Sequence, residues 1–147
     1  MKIAQWVGIV TASVCCVACQ TSRYHQVIVK SSVDPVAFEL ALDGFLRSEG
    51  LRPVKEINQS NPQLLSDVTH GLPRWDKNFD FTFGAGSGFI AVQLAKPYNP
   101  IEMEIGGSDG RERDAERLLT DLKTWLRRSY PDMLFDEKTV PFTRFPF

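Results

Sequence analysis

The residues of this chain that could do chemistry are few and scattered. Histidine occurs twice, at His25 and His70, in different segments with no ligand spacing, so a zinc site would have to import carboxylates from afar. Ser60 or Ser66 can be combined on paper with His70 and Asp76 as a Ser/His/Asp set, but no nucleophile-elbow sequence surrounds either serine. Glu102 and Glu104 stand two apart, on one face of a strand, as acid/base pairs sometimes do. Their alternation with Ile101, Met103 and Ile105 equally makes them the solvated side of a half-buried sheet. The glycine-rich run 84–88 leads from one strand pattern into another, whereas phosphate cradles lead into a helix N-terminus, so it reads as a hairpin connection. These residues assemble no catalytic constellation, and the expectation is a non-enzyme that uses no cofactor.

Two stretches suit binding better. Residues 70–76 gather His70, Arg74, Trp75 and Asp76, amphipathic and charged types of the kind enriched at binding hot spots. The plainer role for Trp75 is a plug at the edge of the core. The C-terminus sets Phe142, Phe145 and Phe147 among Pro141 and Pro146, either packed within the molecule or offered to another protein as a docking segment.

The elements that must position these residues follow from periodicity. Residues 24–30 are dense in β-branched side chains and predict a strand. Asp34-Pro35 opens a helix with a side-chain cap and a proline suited to the first turn; Phe38, Ala41, Leu42 and Phe45 make its buried stripe, and Gly50 closes it. Residues 51–58 predict a second strand, at an edge because of Pro53, Lys55 and Glu56. No period holds over 59–78, and so long a connection is often functional or mobile. Phe79, Phe81 and Phe83 alternate as a strand; 89–96 is apolar on both alternations, as a central strand would be; 101–105 alternates again, completing an antiparallel meander. A helix over 110–128 carries the stripe Ala115, Leu118, Leu119, Leu122, Trp125 and Leu126, a capping box of Asp109 and Glu112, and the opposite charges Asp109–Arg113 and Arg117–Asp121 four apart. The phenylalanine-rich tail is expected to strap across the domain. This order predicts an α+β fold: a two-layer α/β sandwich with a mainly antiparallel sheet of about 4–5 strands and two helices on one face.

The N-terminus has a different character. Lys2 precedes an apolar run over residues 3–18, interrupted only by Gln5, Thr11 and Ser13. That run is short of the roughly 20 apolar residues needed to span a bilayer and has the layout of an export signal. An ordinary secretory signal cut elsewhere and an uncleaved N-terminal helix are the two alternatives. Val17-Ala18-Cys19, with a small residue directly before a cysteine, resembles the signal region of bacterial lipoprotein precursors, and the resemblance covers residues 1–20 alone. It implies a signal peptide over 1–18, a lipid such as palmitate on Cys19, a tether over 19–23 and one globular domain over 24–147. Gln20, where an Asp tends to retain such proteins in the inner membrane, implies the outer membrane, facing the periplasm.

Without residues 1–18 the chain keeps 129 residues, and 16 basic against 18 acidic side chains give it a formal charge of −2. No strong field draws such a domain to nucleic acid. All three cysteines (15, 16 and 19) lie at the signal, so the mature domain has no disulfide and must rest on its hydrophobic core. The expected function is that of a small lipoprotein, membrane-bound through its lipid, that binds a protein or another envelope component. Two alternatives stand beside it. One is a small-ligand-binding or hydrolytic domain using the 70–76 loop and a sheet face around Asp80, Thr82, Gln93, Glu102 and Glu104. The other is a structural envelope lipoprotein.

Overall fold

The computed structural model describes residues 21–57, 69, 71–77, 90–107 and 110–143. Along the chain these form β1 (Thr21–Val29), α1 (Pro35–Ser48), β2 (Arg52–Pro53), α2 (Val54–Ile57), β3 (Arg74–Lys77), β4 (Ile90–Lys96), β5 (Ile101–Gly107), α3 (Glu112–Ser129) and β6 (Phe135–Thr143). The strands make one antiparallel sheet of six, ordered β2-β3-β4-β5-β1-β6. Because side chains alternate across a strand, one face collects Val27 and Val29, Ile90, Val92 and Leu94, and Ile101, Met103 and Ile105. These join Phe38, Leu42 and Leu46 of α1 and Leu118, Leu119, Leu122 and Leu126 of α3 in a single buried cluster. Both helices therefore lie on one face, and they touch each other through aromatic rings. Phe45 stacks on Trp125 with centroids 5.1 Å apart, and Phe38 tilts against Trp125 at 6.2 Å and Tyr130 at 5.8 Å. The α+β two-layer sandwich expected from the pattern is the observed architecture.

Helix α1 begins and ends as its residues dictate. Asp34 Oδ1 accepts from the Val36 N–H at 3.0 Å, satisfying a donor that has no partner within the helix. At the other end Gly50 takes φ +83°, and the N–H groups of Gly50 and Leu51 return to the carbonyls of Arg47 and Leu46. This pair of bonds is a Schellman motif, and it buries Leu51 against the core.

The sequence expectation needs correction in four places. The described part of the tail does not strap across the domain: residues 135–143 form β6, paired with β1 over nine positions at the sheet edge, and residues 144–147 lie outside the described residues. That makes six strands rather than 4–5. Asp136, Glu137, Lys138 and Pro141 hide its strand period but suit an exposed edge, which charges and proline protect from further pairing. Residues 51–58 give only the two-residue β2 before turning into α2, and β3 lies inside the stretch where no period was visible. The N-cap of α3 is Arg111, with no side-chain cap bond, and Arg117 pairs with Asp114 at 3.7 Å instead of Asp121. Asp109 and the predicted strand at Phe79, Phe81 and Phe83 lie outside the described residues.

The sheet has two ends that matter below. At one, β1 begins at Thr21 beside Thr143 of β6, with Gly107, Ile90 and Lys77 in the strands across the sheet. Lys77 Nζ there donates to the Glu49 carbonyl at the C-terminus of α1 (3.2 Å). At the other end, Val29 pairs with Ile101 and Phe135, and α1 starts. Nine strand residues separate the two ends by about 30 Å.

Two substitutions test this packing by urea unfolding. Leu122 is fully buried between α3 and the sheet, so Leu122→Ala should cost about 2–5 kcal/mol. A Cβ on Gly107 would stand 2.5 Å from the Arg111 carbonyl oxygen, backbone against backbone, so Gly107→Ala should cost about 1–3 kcal/mol. Gly106→Ala, whose Cβ meets only Tyr24 Cβ at 3.4 Å, should stay within about 0.5 kcal/mol of the parent.

Candidate functional site: a groove along helix α1

Helix α1 carries more apolar surface than its core contact uses. Phe38, Leu42 and Leu46 face the sheet, but Val36 and Leu40, one turn apart on another side, are 75% and 74% exposed. Asp43 and Arg47 continue that second row toward the C-terminus. Opposite stand Pro53, Val54 and Lys55, the turn Thr69–Pro73 as far as it is described, and the start of β3 at Arg74 and Trp75. Together they enclose a cavity of about 630 Å³. Its floor is apolar, since Pro53, Val54 and Trp75 are buried. The turn is held by the Leu72 N–H bond to the Thr69 carbonyl (3.0 Å), and Gly71 sits at φ +73°, where a side chain would be strained.

One hydrogen-bonded chain braces the groove. Trp75 Nε1 donates to Asp43 Oδ1 at 2.6 Å, tying β3 to α1. Asp43 Oδ2 accepts from Arg47 Nε at 2.8 Å, and Arg47 grips Glu56 of α2 with both terminal nitrogens, at 3.1 and 2.5 Å. Burial pushes the Asp43 carboxyl up, but the bonds from Trp75 and Arg47 outweigh it and hold the group below its usual range. The bond from Arg47 likewise lowers Glu56.

The residues singled out from sequence fall into distinct places. Trp75 is core, 3% exposed, and also lines the groove. Arg74 donates a bidentate pair of hydrogen bonds to Asp76 on the sheet face away from the helices, Nε to Oδ2 at 3.0 Å and Nη2 to Oδ1 at 3.1 Å, with Asp76 only 1% exposed. Burial pushes the Asp76 carboxyl up against the pull of Arg74. His70 lies outside the described residues, although its neighbours Thr69 and Gly71 both line the groove. Phe142 belongs to β6; Phe145, Phe147 and Cys19 lie outside the described residues. His25 sits on β1 beside Thr139, with Thr139 Oγ1 at 3.3 Å from Nδ1.

The alternative polar face is a separate feature. Gln93 stands opposite Glu104, Gln26 Nε2 donates to Glu102 at 3.2 Å, and Lys96 lies 3.4 Å from Glu102. Burial, and then repulsion from Glu102, push the Glu104 carboxyl up. None of Gln93, Glu102 and Glu104 lines the cavity, and Asp80 and Thr82 lie outside the described residues. Among the described residues no group of three or more His, Cys, Asp or Glu is placed to hold a metal, and no helix is long and apolar enough to cross a membrane.

The groove wall is what the sequence reading missed. Its signal was present: Val36 and Leu40 are apolar, four apart, and off the core stripe. Asp43 and Arg47 gave no such sign, because a charged pair four apart on a helix is ordinary surface. Chemically, the ionised groups here are largely tied to one another. What remains for a ligand is exposed apolar surface with Glu39 and Lys55 beside it.

Two variants test the bracing. Arg74→Met leaves a buried carboxylate uncompensated and should cost about 3–5 kcal/mol at pH 7. Asp76, already pushed up by burial, takes a proton as the pH falls, so the cost should shrink when the unfolding is repeated at pH 5. Asp43→Ala strips the Trp75 N–H of its acceptor and should cost about 1–3 kcal/mol at pH 7. The Asp43 carboxyl is lowered in the fold, so its contribution is complete above its unfolded value and fades as the pH drops through the folded one. Wild type and Asp43→Ala should therefore converge toward pH 3.

Compared with family models, curated proteins and solved structures, the chain matches none of them.

Proposed function

We propose that this chain is a non-enzymatic lipoprotein of the bacterial envelope that binds a protein or another envelope component through the groove along α1. The observation that carries the binding role is the exposed pair Val36 and Leu40 over an apolar floor. Beside that floor the pair makes an apolar patch, and apolar patches rimmed by polar groups commonly mark interaction sites. The cavity lies beside the 70–76 segment, where the amphipathic residues had pointed to binding. The polar groups along it are occupied with each other, as suits a rigid recognition surface better than proton transfer.

The anchor rests on the signal-like residues 1–18 and on Cys19. Because β1 already starts at Thr21, the tether is shorter than the 19–23 stretch read from sequence. Two residues reach at most about 7 Å, so a lipid on Cys19 would hold the Thr21 end of the sheet against the outer membrane on its periplasmic side.

Two measurements test this function together. In cells fed a labelled fatty acid, the parent chain should carry label and fractionate with membranes, and Cys19→Ala should do neither. A photo-crosslinking residue in place of Leu40 should capture one defined envelope component in cells. The same residue at Lys138, on the far edge of the sheet, should not capture it. Absence of label on the parent removes the anchor. Equal capture from both positions, or none from Leu40, removes the groove as the binding site.

A further inference from the structure

The two helices lie side by side, joined by the Phe45–Trp125 stack, so their outer sides form one face of the domain. On α3 that side carries a ridge at helical spacing, Arg113, Arg117, Thr120, Thr124 and Arg127, all exposed, with Arg128 beside it. No acid interrupts the ridge. Asp114 and Asp121 share the half-buried row of Trp125, which faces α1. Glu112 and Glu116 stand on the opposite flank with Lys123, which pairs with Glu137 of β6. The exposed side chains of α3 thus hold four arginines against two glutamates. Arg117 is 3.7 Å from Asp114, and Arg127 lies over the Phe135 ring. Arg113 and Arg128 have no ion-pair partner among the described residues.

The outer side of α1 has the opposite character. Val36, Ala37, Leu40 and Gly44 are exposed there, while Glu39 and Asp43 turn into the groove. An apolar ridge beside a cationic one is how an interfacial surface divides its work, apolar groups taking the acyl boundary and arginines the phosphates. Nucleic acid would meet the arginines but leave Val36 and Leu40 in water.

The anchor suits a lipid surface. Helix α3 begins at the Thr21 end of the sheet, where Gly107 packs closely against Arg111, so Arg113 and Arg117 are near the anchored end. The sheet lies about 15 Å from the outer surface of the helices. Helices settled about 5–10 Å into the headgroup region leave about 5–10 Å for the tether, and two residues span about 7 Å. We propose, resting on the anchored chain described above, that the outer face of the helix layer lies on an anionic phospholipid surface. Val36 and Leu40 sit at the headgroup boundary and the α3 arginines against lipid phosphates, so the envelope component met by the exposed pair is lipid.

The test uses the full lipidated chain in nanodiscs of phosphatidylcholine alone or of an equal mixture with phosphatidylglycerol. The mature domain has no cysteine besides Cys19, so a spin label can be placed at Leu40→Cys or, as a control, at Lys138→Cys. Access of a water-soluble relaxation agent to the Leu40 label should be at least about threefold lower on the anionic discs than on the neutral ones. Access to the Lys138 label should be the same on both. Salt at about 1 M, where the screening length is about 3 Å, should abolish the difference. So should Arg113→Glu, Arg117→Glu and Arg128→Glu made together, all at exposed positions, with circular dichroism checking that the fold is kept. Equal access on the two discs, or protection that survives the triple charge reversal, overturns the proposal. Protection that needs an added periplasmic extract, on either disc, assigns the face to a protein and overturns it too, while leaving the binding role of Val36 and Leu40 standing. Equal access from a chain that still carries fatty-acid label leaves the anchor standing and removes only this contact.

Discussion

Helix α1 is longer than the described part of the sheet edge beside it. Fourteen residues of α1 extend about 21 Å, whereas β3 has four residues and β2 two, and four strand residues cover only about 13 Å. The core side of α1 joins the buried cluster of the sheet and α3, while its outer side faces the described part of β2 and β3. Between the two lies the groove. Pro53, Val54 and Trp75 form its apolar floor, and Val36 and Leu40 stay exposed at its lip.

The groove keeps its shape through polar bonds. Trp75 is anchored in the core by its ring and reaches Asp43 with its N–H, so β3 and α1 are held at a set spacing. Arg47 then joins Asp43 to Glu56, which extends the bracing to α2. Exposed ion pairs are individually weak, but this one ends on a buried indole that cannot move without disturbing the core. Across the sheet, the buried Arg74–Asp76 pair steadies β3 from the other face. A four-residue strand that forms one wall of a site is thus fastened on both sides.

Much of the architecture was legible because it depends on period. The stripe of α3 and the alternation of β5 survived intact, as did the cap, proline and closing glycine of α1. The errors share a physical cause. β6 is an edge strand, so its residues are chosen for protection and not for burial on one face, and Asp136, Glu137, Lys138 and Pro141 mask the alternation. β2 and β3 are too short for any period to emerge, and they fell inside segments read as a longer strand and a loop. In the site, Arg74, Trp75 and Asp76 drew notice as recognition types, with a plug at the core edge as the plainer role for Trp75. The plug is what the fold shows for Trp75, whereas the burial of Asp76 with Arg74 was not legible from residue type.

By itself the sequence determined the α+β class, the two helices on one face of an antiparallel sheet, and a domain free of cysteine beyond Cys19. Those properties are set by local periodicity and by composition, which act within a dozen residues. Tertiary structure alone decided that β1 lies between β5 and β6, that Trp75 meets Asp43 thirty-two positions away, and that Val36 and Leu40 remain uncovered. Each of these depends on which strands become neighbours and how long they are when they meet the helix. Burial of α1 is a contest between its own length and the width of a sheet assembled from distant segments, and that contest is settled only when the chain is folded.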